Sequence, residues 1–306
     1  MKKVKLDRRR ALIAGTWGLA AFGVGMTRIS SMKELAMLFK SDKTDTAKMP
    51  TLFIGHGSPM NAIEDNRYGQ RWAELGKELG KPKAILMVSA HWLSAGTWVT
   101  HMKNPKTIHD FGGFPQALFD VQYPAPGNQE LAEEIQKLSK KVKIQADDKS
   151  WGFDHGTWSV LNKMYPAADV PVVQLSIDMS EPASFHMELA ESLKSLREQG
   201  VIIMGSGNIV HNLRRIDWHK QGQGSDWAIE FDEWSKEKLL NRDFKALAED
   251  YNKTQAGLLS VPTPDHYLPL MYVIGASDKE DEIKFEVEGC DMGSLSMRSV
   301  SFGRKA

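Results

Sequence analysis

The chain has 306 residues, 42% of them hydrophobic, which is enough to bury one large α/β core or two small ones. Its 39 Lys and Arg balance its 39 Asp and Glu, so it lacks the basic excess of a dedicated nucleic-acid binder. The one cysteine, Cys290, excludes an intramolecular disulfide and any cysteine-built zinc site, and in "VEGCDMG" it reads as a small core or turn residue.

In chain order, the first segment stands apart from the rest. "MKKVKLDRRR" is basic, and Ala11 to Met26 then run 16 residues without a charge. A helix of that length covers roughly 24 Å, short of the ~30 Å hydrocarbon core of a bilayer, so the core of an export signal fits better than a full span. Arg8, Arg9 and Arg10 ahead of a Gly-rich apolar stretch resemble a bacterial twin-arginine signal, which carries proteins already folded. No clear A-x-A cleavage site follows Met26, which leaves an uncleaved anchor open. An ordinary N-terminal helix is the plainer alternative. Residues 1–30 are therefore expected to form an export or anchor segment. That places the protein in the periplasm or on the inner membrane, with the cytoplasm as the alternative, and limits membrane contact to this segment. Residues 31–48 are polar and poorly patterned and read as a linker, with a short helix around Met32 to Phe39. The globular domain is expected over residues 49–306.

Within that domain, apolar runs of strand length occur at Leu52 to Gly55, Ala84 to Ala90, Val172 to Ile177 and Val201 to Gly205. They are nearly continuous, as strands buried on both faces must be. Amphipathic helices are predicted between them. Leu131, Ile135, Leu138 and Val142 share one helical face behind Asn128 as N-cap. Phe185, Leu189, Leu193 and Leu196 share another, closed by Gly200 in the left-handed region. A third carries Trp227, Phe231 and Trp234. "IKFEVEG" and "SLSMRSVSF" alternate and read as C-terminal antiparallel strands. The expected fold is a single α/β domain, its mostly parallel, mixed central sheet flanked by helices on both faces.

Four histidines lie where such a sheet presents ligands. His56 follows "TLFIG", His91 follows "AILMVSA", and His211 follows "VIIMGSGNIV". His266 sits in "SVPTPDHYLP", a loop stiffened by prolines. Ligands of α/β sheets bind beyond the carboxyl ends of the strands, and imidazole is the commonest protein ligand for transition metals, so the four suggest one metal site. In "GHGSP" the glycines flanking His56 allow a sharp turn. In "GSGNIVHNL" a helix is expected to begin, with His211 one turn into it and facing the crevice. Trp92, after His91, either packs in the core or lines a pocket. All-histidine ligation fits Fe(II), Zn or Mn; zinc would favour hydrolysis and Fe(II) oxygen activation, and the spacing does not choose between them.

His155 in "WGFDHGTW" lies between Asp154 and Gly156 and reads as a general acid or base or as a plain loop histidine. His109 precedes Gly112 and Gly113, in a loop whose Phe111 and Phe114 suit covering an aromatic ligand. His101, His186 and His219 are assigned to structure or solvent.

The motifs "GHGSPMNAIEDN", "VSAHW", "TIHDFGGFPQALFDVQYPAPG", "WGFDHGTWSVL", "GSGNIVHNLR" and "PTPDHYLPLMYVIGA" together resemble the class III extradiol ring-cleaving dioxygenases, most closely their 4,5-DOPA extradiol dioxygenase branch. The resemblance runs from about Met49 to Gly303; relatives begin near Met49 and are cytoplasmic, so the N-terminal extension departs from the pattern. It implies a non-haem Fe(II) enzyme with one divalent metal per chain. Such an enzyme opens a catechol with O2 beside the diol to give a muconic semialdehyde. By the same resemblance His56, His91 and His266 hold the metal. His211 lies at the metal as a further ligand or an acid/base group, and His155 handles protons and oxygen in the pocket. Some relatives bind zinc there. His266 stands where more distant class III enzymes use a carboxylate. A zinc-dependent hydrolase and a metal-binding envelope protein without turnover are the alternatives.

Overall fold

The computed structural model describes residues 48–304. The expected export segment, and the linker up to residue 47 with its short helix, lie outside the described residues. Twelve strands follow: β1 (Thr51–Gly55), β2 (Ala84–Ser94), β3 (Thr97–Thr100), β4 (Lys106–Thr107), β5 (Ile144–Asp147), β6 (Gly152–Phe153), β7 (Val172–Asp178), β8 (Val201–Gly207), β9 (Ile283–Val287), β10 (Cys290–Asp291), β11 (Leu295–Ser296) and β12 (Ser299–Phe302). The α-helices are α1 (Arg67–Leu79), α2 (Gln116–Phe119), α3 (Gln129–Leu138), α4 (His155–Met164), α5 (Ala183–Leu193), α6 (Asp226–Leu240), α7 (Phe244–Glu249), α8 (Gln255–Ser260) and α9 (Leu268–Gly275).

Eight strands form the central sheet in the order β5-β3-β7-β2-β8-β1-β12-β9. The four predicted apolar runs are its heart: β7, β2, β8 and β1 are mutually parallel neighbours. The edges bring in the antiparallel pairs, β3 with β7 on one side and β12 with β1 and β9 on the other. Alternate side chains go to opposite layers. Leu52, Ile54, Ile85 and Met87 pack with Trp72 of α1 and Trp158 of α4. Phe53, Leu86 and Val88 pack with Ile135 of α3, Leu189 of α5 and Leu270 of α9. Both faces are thereby covered, which is why the central strands are mostly apolar; the polar side chains on one face of β7, Gln174 and Ser176, are buried and hydrogen-bonded. Among the described residues no helix is long and apolar enough to cross a membrane.

The predicted caps hold: Asn128 accepts from the Leu131 N–H, and Gly200 adopts φ 86° at the end of the turn that follows α5. Three local expectations are corrected. Helix α3 stops at Leu138, and Val142 packs against the core from beyond it. Of "SLSMRSVSF", only β12 joins the central sheet, while β11 pairs with β10. The segment carrying His211 is not helical. Its backbone is already engaged elsewhere: Ser296 N–H donates to Val210 O, His211 N–H to Ser260 O, and Asn212 N–H to Ser294 O. His211 bridges Leu295 in antiparallel fashion, leaving nothing for an i→i−4 ladder.

Candidate metal centre and active-site cavity

The carboxyl ends of β1, β8 and β2 open side by side, and three of the five histidines that meet there, His56, His91 and His211, come from these ends or the turns beyond them. His56 is the first residue after β1. Gly57, next to it, has φ 59°, a left-handed conformation that lets the chain turn at once and keep the imidazole over the strand end. His91 lies inside β2, which runs on to Ser94 rather than ending at Ala90. Between Val88 and Leu93 the pairing with β7 is broken by an irregularity, so His91 projects from an arched stretch of strand. His266 comes from the turn before α9. That turn lies so close to β8 that a Cβ on Gly207 would stand 2.2 Å from His266 O, and the Asn208 N–H donates to that same oxygen at 2.9 Å. His155 is the first residue of α4.

The donor atoms of His56, His91 and His266 lie within 4.8 Å of one another. His56 Nε2 and His91 Nε2 are 3.3 Å apart. Two nitrogens each about 2.1 Å from one ion are roughly 3.0–3.4 Å apart, between octahedral and tetrahedral angles, so this spacing suits co-ligands. The other nitrogen of each ring is occupied. Ser206 spends its hydroxyl proton on Gly156 O at 2.6 Å, so its oxygen accepts from His56 Nδ1–H at 3.0 Å. His91 Nδ1 lies 3.2 Å from Asp110 Oδ2, and His266 Nδ1 bonds to the Asp265 carboxylate. Protons held on Nδ1 leave the Nε2 lone pairs free, and an acceptor behind a ligating imidazole raises its basicity.

Electrostatics act in the same direction. Burial, reinforced by the surrounding imidazoles, holds His56 and His266 well below the ordinary histidine range. Burial and then His155 push His91 down to about 3 against the pull of Asp110. His211 is lowered to about 4 by burial, with Asp265 opposing. Near neutral pH these rings are uncharged, the form a metal requires. The donor set therefore fits one divalent metal.

His211 joins a different group, with Asp265 and His266. Its ring stacks on that of His266, with centroids 3.4 Å apart and planes 4° from parallel. An imidazole binds an ion in its own plane, and these planes are displaced from each other.

His155 packs against His91 with ring centroids 3.9 Å apart. Asp154, its neighbour in sequence, does not orient it. That carboxylate is fully buried and accepts from Ser89 Oγ at 2.6 Å, from the Thr157 N–H at 3.1 Å and from Gln174, capping α4. The orienting carboxylate is Asp110, which accepts from His155 Nδ1 at 2.9 Å and from the His155 backbone N–H at 2.8 Å. Burial pushes the Asp110 carboxyl up, but its bonds to His155 and the nearby rings outweigh this and hold it at about 2. Asp110, Asp265 and Ser206 are absent from the residues predicted from sequence. Asp265 had a local signal, its adjacency to His266, whereas the other two reach the site only through the fold.

The histidines floor a cavity of about 340 Å³ whose walls include Phe111, Gly112, Phe114, Leu213, Ile216, Trp218 and Met292. An apolar cavity of ~150 Å³ holds benzene, so there is room for one substituted aromatic ring. Leu213 and Trp218, 60% and 66% exposed, form the rim. The Phe111–Phe114 loop does flank the cavity, while His109 bonds to Val121 O at 2.9 Å and packs on Trp158. Trp92 stacks on Trp151, with planes 5° apart, and does not line the cavity. His101 pairs with Asp148 at 2.7 Å, His186 bonds to Tyr272 OH at 2.9 Å, and the His219 backbone N–H meets Asp217. Cys290 is buried and its thiol is pushed up to about 12, chiefly by burial, which makes it unreactive.

Comparison with known proteins bears on what this cavity does. Residues 50–300 match the family model described as the catalytic LigB subunit of aromatic ring-opening dioxygenase. The chain is similar to "4,5-DOPA dioxygenase extradiol" of Escherichia coli (strain K12), 50% identical over 87% of this chain and 99% of that one. It is 36% identical to the protein of the same name from Beta vulgaris, over 82% of this chain and 96% of that one. Among solved structures it resembles the crystal structure of an uncharacterized Escherichia coli K12 protein. That match has a TM-score of 0.74 and 46% identity, over 83% of this chain and all of that one.

Proposed function

The chain belongs to the LigB family of aromatic ring-opening dioxygenases, and from that premise we propose that its cavity takes a catechol bearing a DOPA-like substituent. It is an extradiol enzyme: the ring bond beside the diol breaks, and both atoms of O2 enter the product, a muconic semialdehyde. The observation that carries the substrate reading is an aromatic-walled cavity, sized for one substituted ring, that is lined by His56, His91 and His266, whose donor atoms cluster together. The names of the relatives agree with it.

His56, His91 and His266 would hold the metal. Fe(II) is the ion proposed, because it can relay electrons between ring and oxygen whereas zinc has no redox chemistry. Phe111, Phe114 and Trp218 flank the ring and keep water from it. His155, with its Nδ1 proton tied to Asp110, offers Nε2 to the cavity as the base that takes a catechol hydroxyl proton and later returns it. His211 cannot readily share an ion with a ring stacked parallel to it, so its role is acid/base or contact with substrate rather than ligation.

The test is anaerobic reconstitution with Fe(II) followed by oxygen uptake over a panel of catechols, beside a zinc-loaded sample. Uptake with a yellow ring-opened product in the iron sample alone supports the proposal. Turnover by the zinc sample, or hydrolysis without oxygen uptake, would refute it. We further propose that residues 1–30 direct export, so that the enzyme works in the periplasm or on the inner membrane; the arginine triplet and the uncharged run behind it support this.

A further inference from the structure

We propose that Asp110 is a positioning residue that fixes the tautomer of both His91 and His155 and so sets a metal-holding ring and a proton-transferring ring from one carboxylate. The inference rests on the roles of those two histidines given above. Asp110 Oδ2 accepts from His155 Nδ1 at 2.9 Å and lies 3.2 Å from His91 Nδ1, while Oδ1 accepts from the His155 backbone N–H at 2.8 Å. An ionised carboxylate only accepts hydrogen bonds. Each nitrogen facing it must therefore carry the proton, since a bare Nδ1 lone pair would face an anionic oxygen. Both Nε2 atoms are then proton-free: that of His91 lies beside His56 Nε2, and that of His155 is available to the cavity.

The carboxylate is itself held in place. The Ile108 N–H donates to Phe153 O at 2.7 Å, and Trp158 Nε1 donates to Ile108 O at 2.8 Å, anchoring the chain two residues before Asp110. The next residues, Phe111 and Gly112, are cavity wall. One short segment thus connects the substrate wall to the protonation pattern of the site.

The substitution Asp110→Asn separates positioning from mere support. Asn keeps an oxygen for the His155 backbone N–H but turns an NH2 group toward both Nδ1 atoms. Those atoms must then accept, and the protons move to Nε2, where they oppose ligation by His91 and proton abstraction by His155. Asp110→Ala removes the acceptor without imposing the wrong tautomer. A structural role predicts that Asn is the milder change; tautomer control predicts that Asn is at least as damaging as Ala. An Asp→Asn change behind a catalytic histidine costs ~10⁴ in kcat where tautomer control has been measured. Here Asp110→Asn is expected to lower kcat at least ~10²-fold with KM moved far less, and to weaken zinc binding about tenfold or more.

The deciding readout is independent of turnover: long-range ¹H–¹⁵N spectra of the histidine rings in the full-length, zinc-loaded protein, which is diamagnetic. Nδ1–H at His91 and His155 in the wild type, changed to Nε2–H at His155 in Asp110→Asn, supports the proposal. Nε2–H at either ring in the wild type overturns it, as does an Asp110→Asn protein that keeps the wild-type tautomers. Should Asp110→Asn fail to fold, the wild-type tautomers and the Asp110→Ala spectra still decide. Absence of ring cleavage in the wild type would refute the functional reading alone, because the tautomers are read without substrate.

Discussion

At the scale of residues, the five clustered histidines are expected to separate into groups that hold the metal and groups that move protons. Removing a ligand takes away a donor directly, so His56→Ala, His91→Ala and His266→Ala should each weaken metal affinity by ~10²-fold or more, since even the partners behind such ligands are worth 10–100-fold. His155→Gln should retain metal and bind catechol but lose ~10²- to 10⁴-fold in kcat. Metal analysis beside steady-state rates checks both, and wild-type turnover by His155→Gln would remove it from proton transfer. One histidine that does not line the cavity is expected to make the fold sensitive to acid. His186 is fully buried, and burial lowers it to about 4, with Asp178 opposing. Once unfolded it takes up a proton near pH 6.5, so between about 6.5 and 4 the unfolded chain binds more protons and stability falls as pH falls. Up to ~1.4 kcal/mol per pH unit follows from this one group. His186→Leu should lose ~1–3 kcal/mol at pH 7, where Tyr272 OH loses its partner, yet show a flatter decline down to pH 4.5. Urea unfolding at a series of pH values measures the difference in slope, and equal slopes in the two proteins would contradict the assignment.

At the scale of elements, the site depends on how tightly turns seat on strand ends. The turn that presents His266 lies against β8 because Gly207 has no side chain. Gly207→Ala would drive a methyl group into the His266 carbonyl, which is backbone and cannot rotate away. Such overpacking typically costs ~1–3 kcal/mol, and here the strain falls on a metal-holding residue. The variant should fold with a lowered melting temperature and bind metal more weakly than wild type, read by calorimetry and metal titration. Undiminished metal affinity would mean that the turn can shift without carrying His266 with it. The arch in β2 serves His91 in a similar way. A regular strand would keep that ladder paired with β7, whereas the observed break lets the histidine turn toward His56.

At the scale of the whole molecule, the family match covers residues 50–300, and the Lys48–Arg304 portion carries every residue of the proposed site. The segment ahead of it lies outside the described residues, and its proposed task is delivery. Replacing Arg8, Arg9 and Arg10 with Lys should leave the protein in the cytoplasm while its Fe(II)-dependent turnover is unchanged. Cell fractionation beside activity measures this, and a wild type that is itself wholly cytoplasmic would refute export.

The sequence by itself determined the parallel heart of the sheet, because strands buried on both faces read as nearly continuous apolar runs, and it marked His56, His91 and His266 by placing them after such runs or in a proline-stiffened loop. It also carried the family, through six motifs in order. What it could not determine was any relation between residues far apart in the chain. Asp154 adjoins His155 and was the legible partner, yet it turns inward to cap α4, and Asp110, 45 residues earlier, does the orienting. The helix expected at His211 gave way to hydrogen bonds with Ser260, Ser294 and Ser296, which local propensity does not register. Burial and carboxylates contributed from other elements decide which nitrogen holds the proton, and so which histidines present a lone pair to the site; both exist only once the chain has closed on itself.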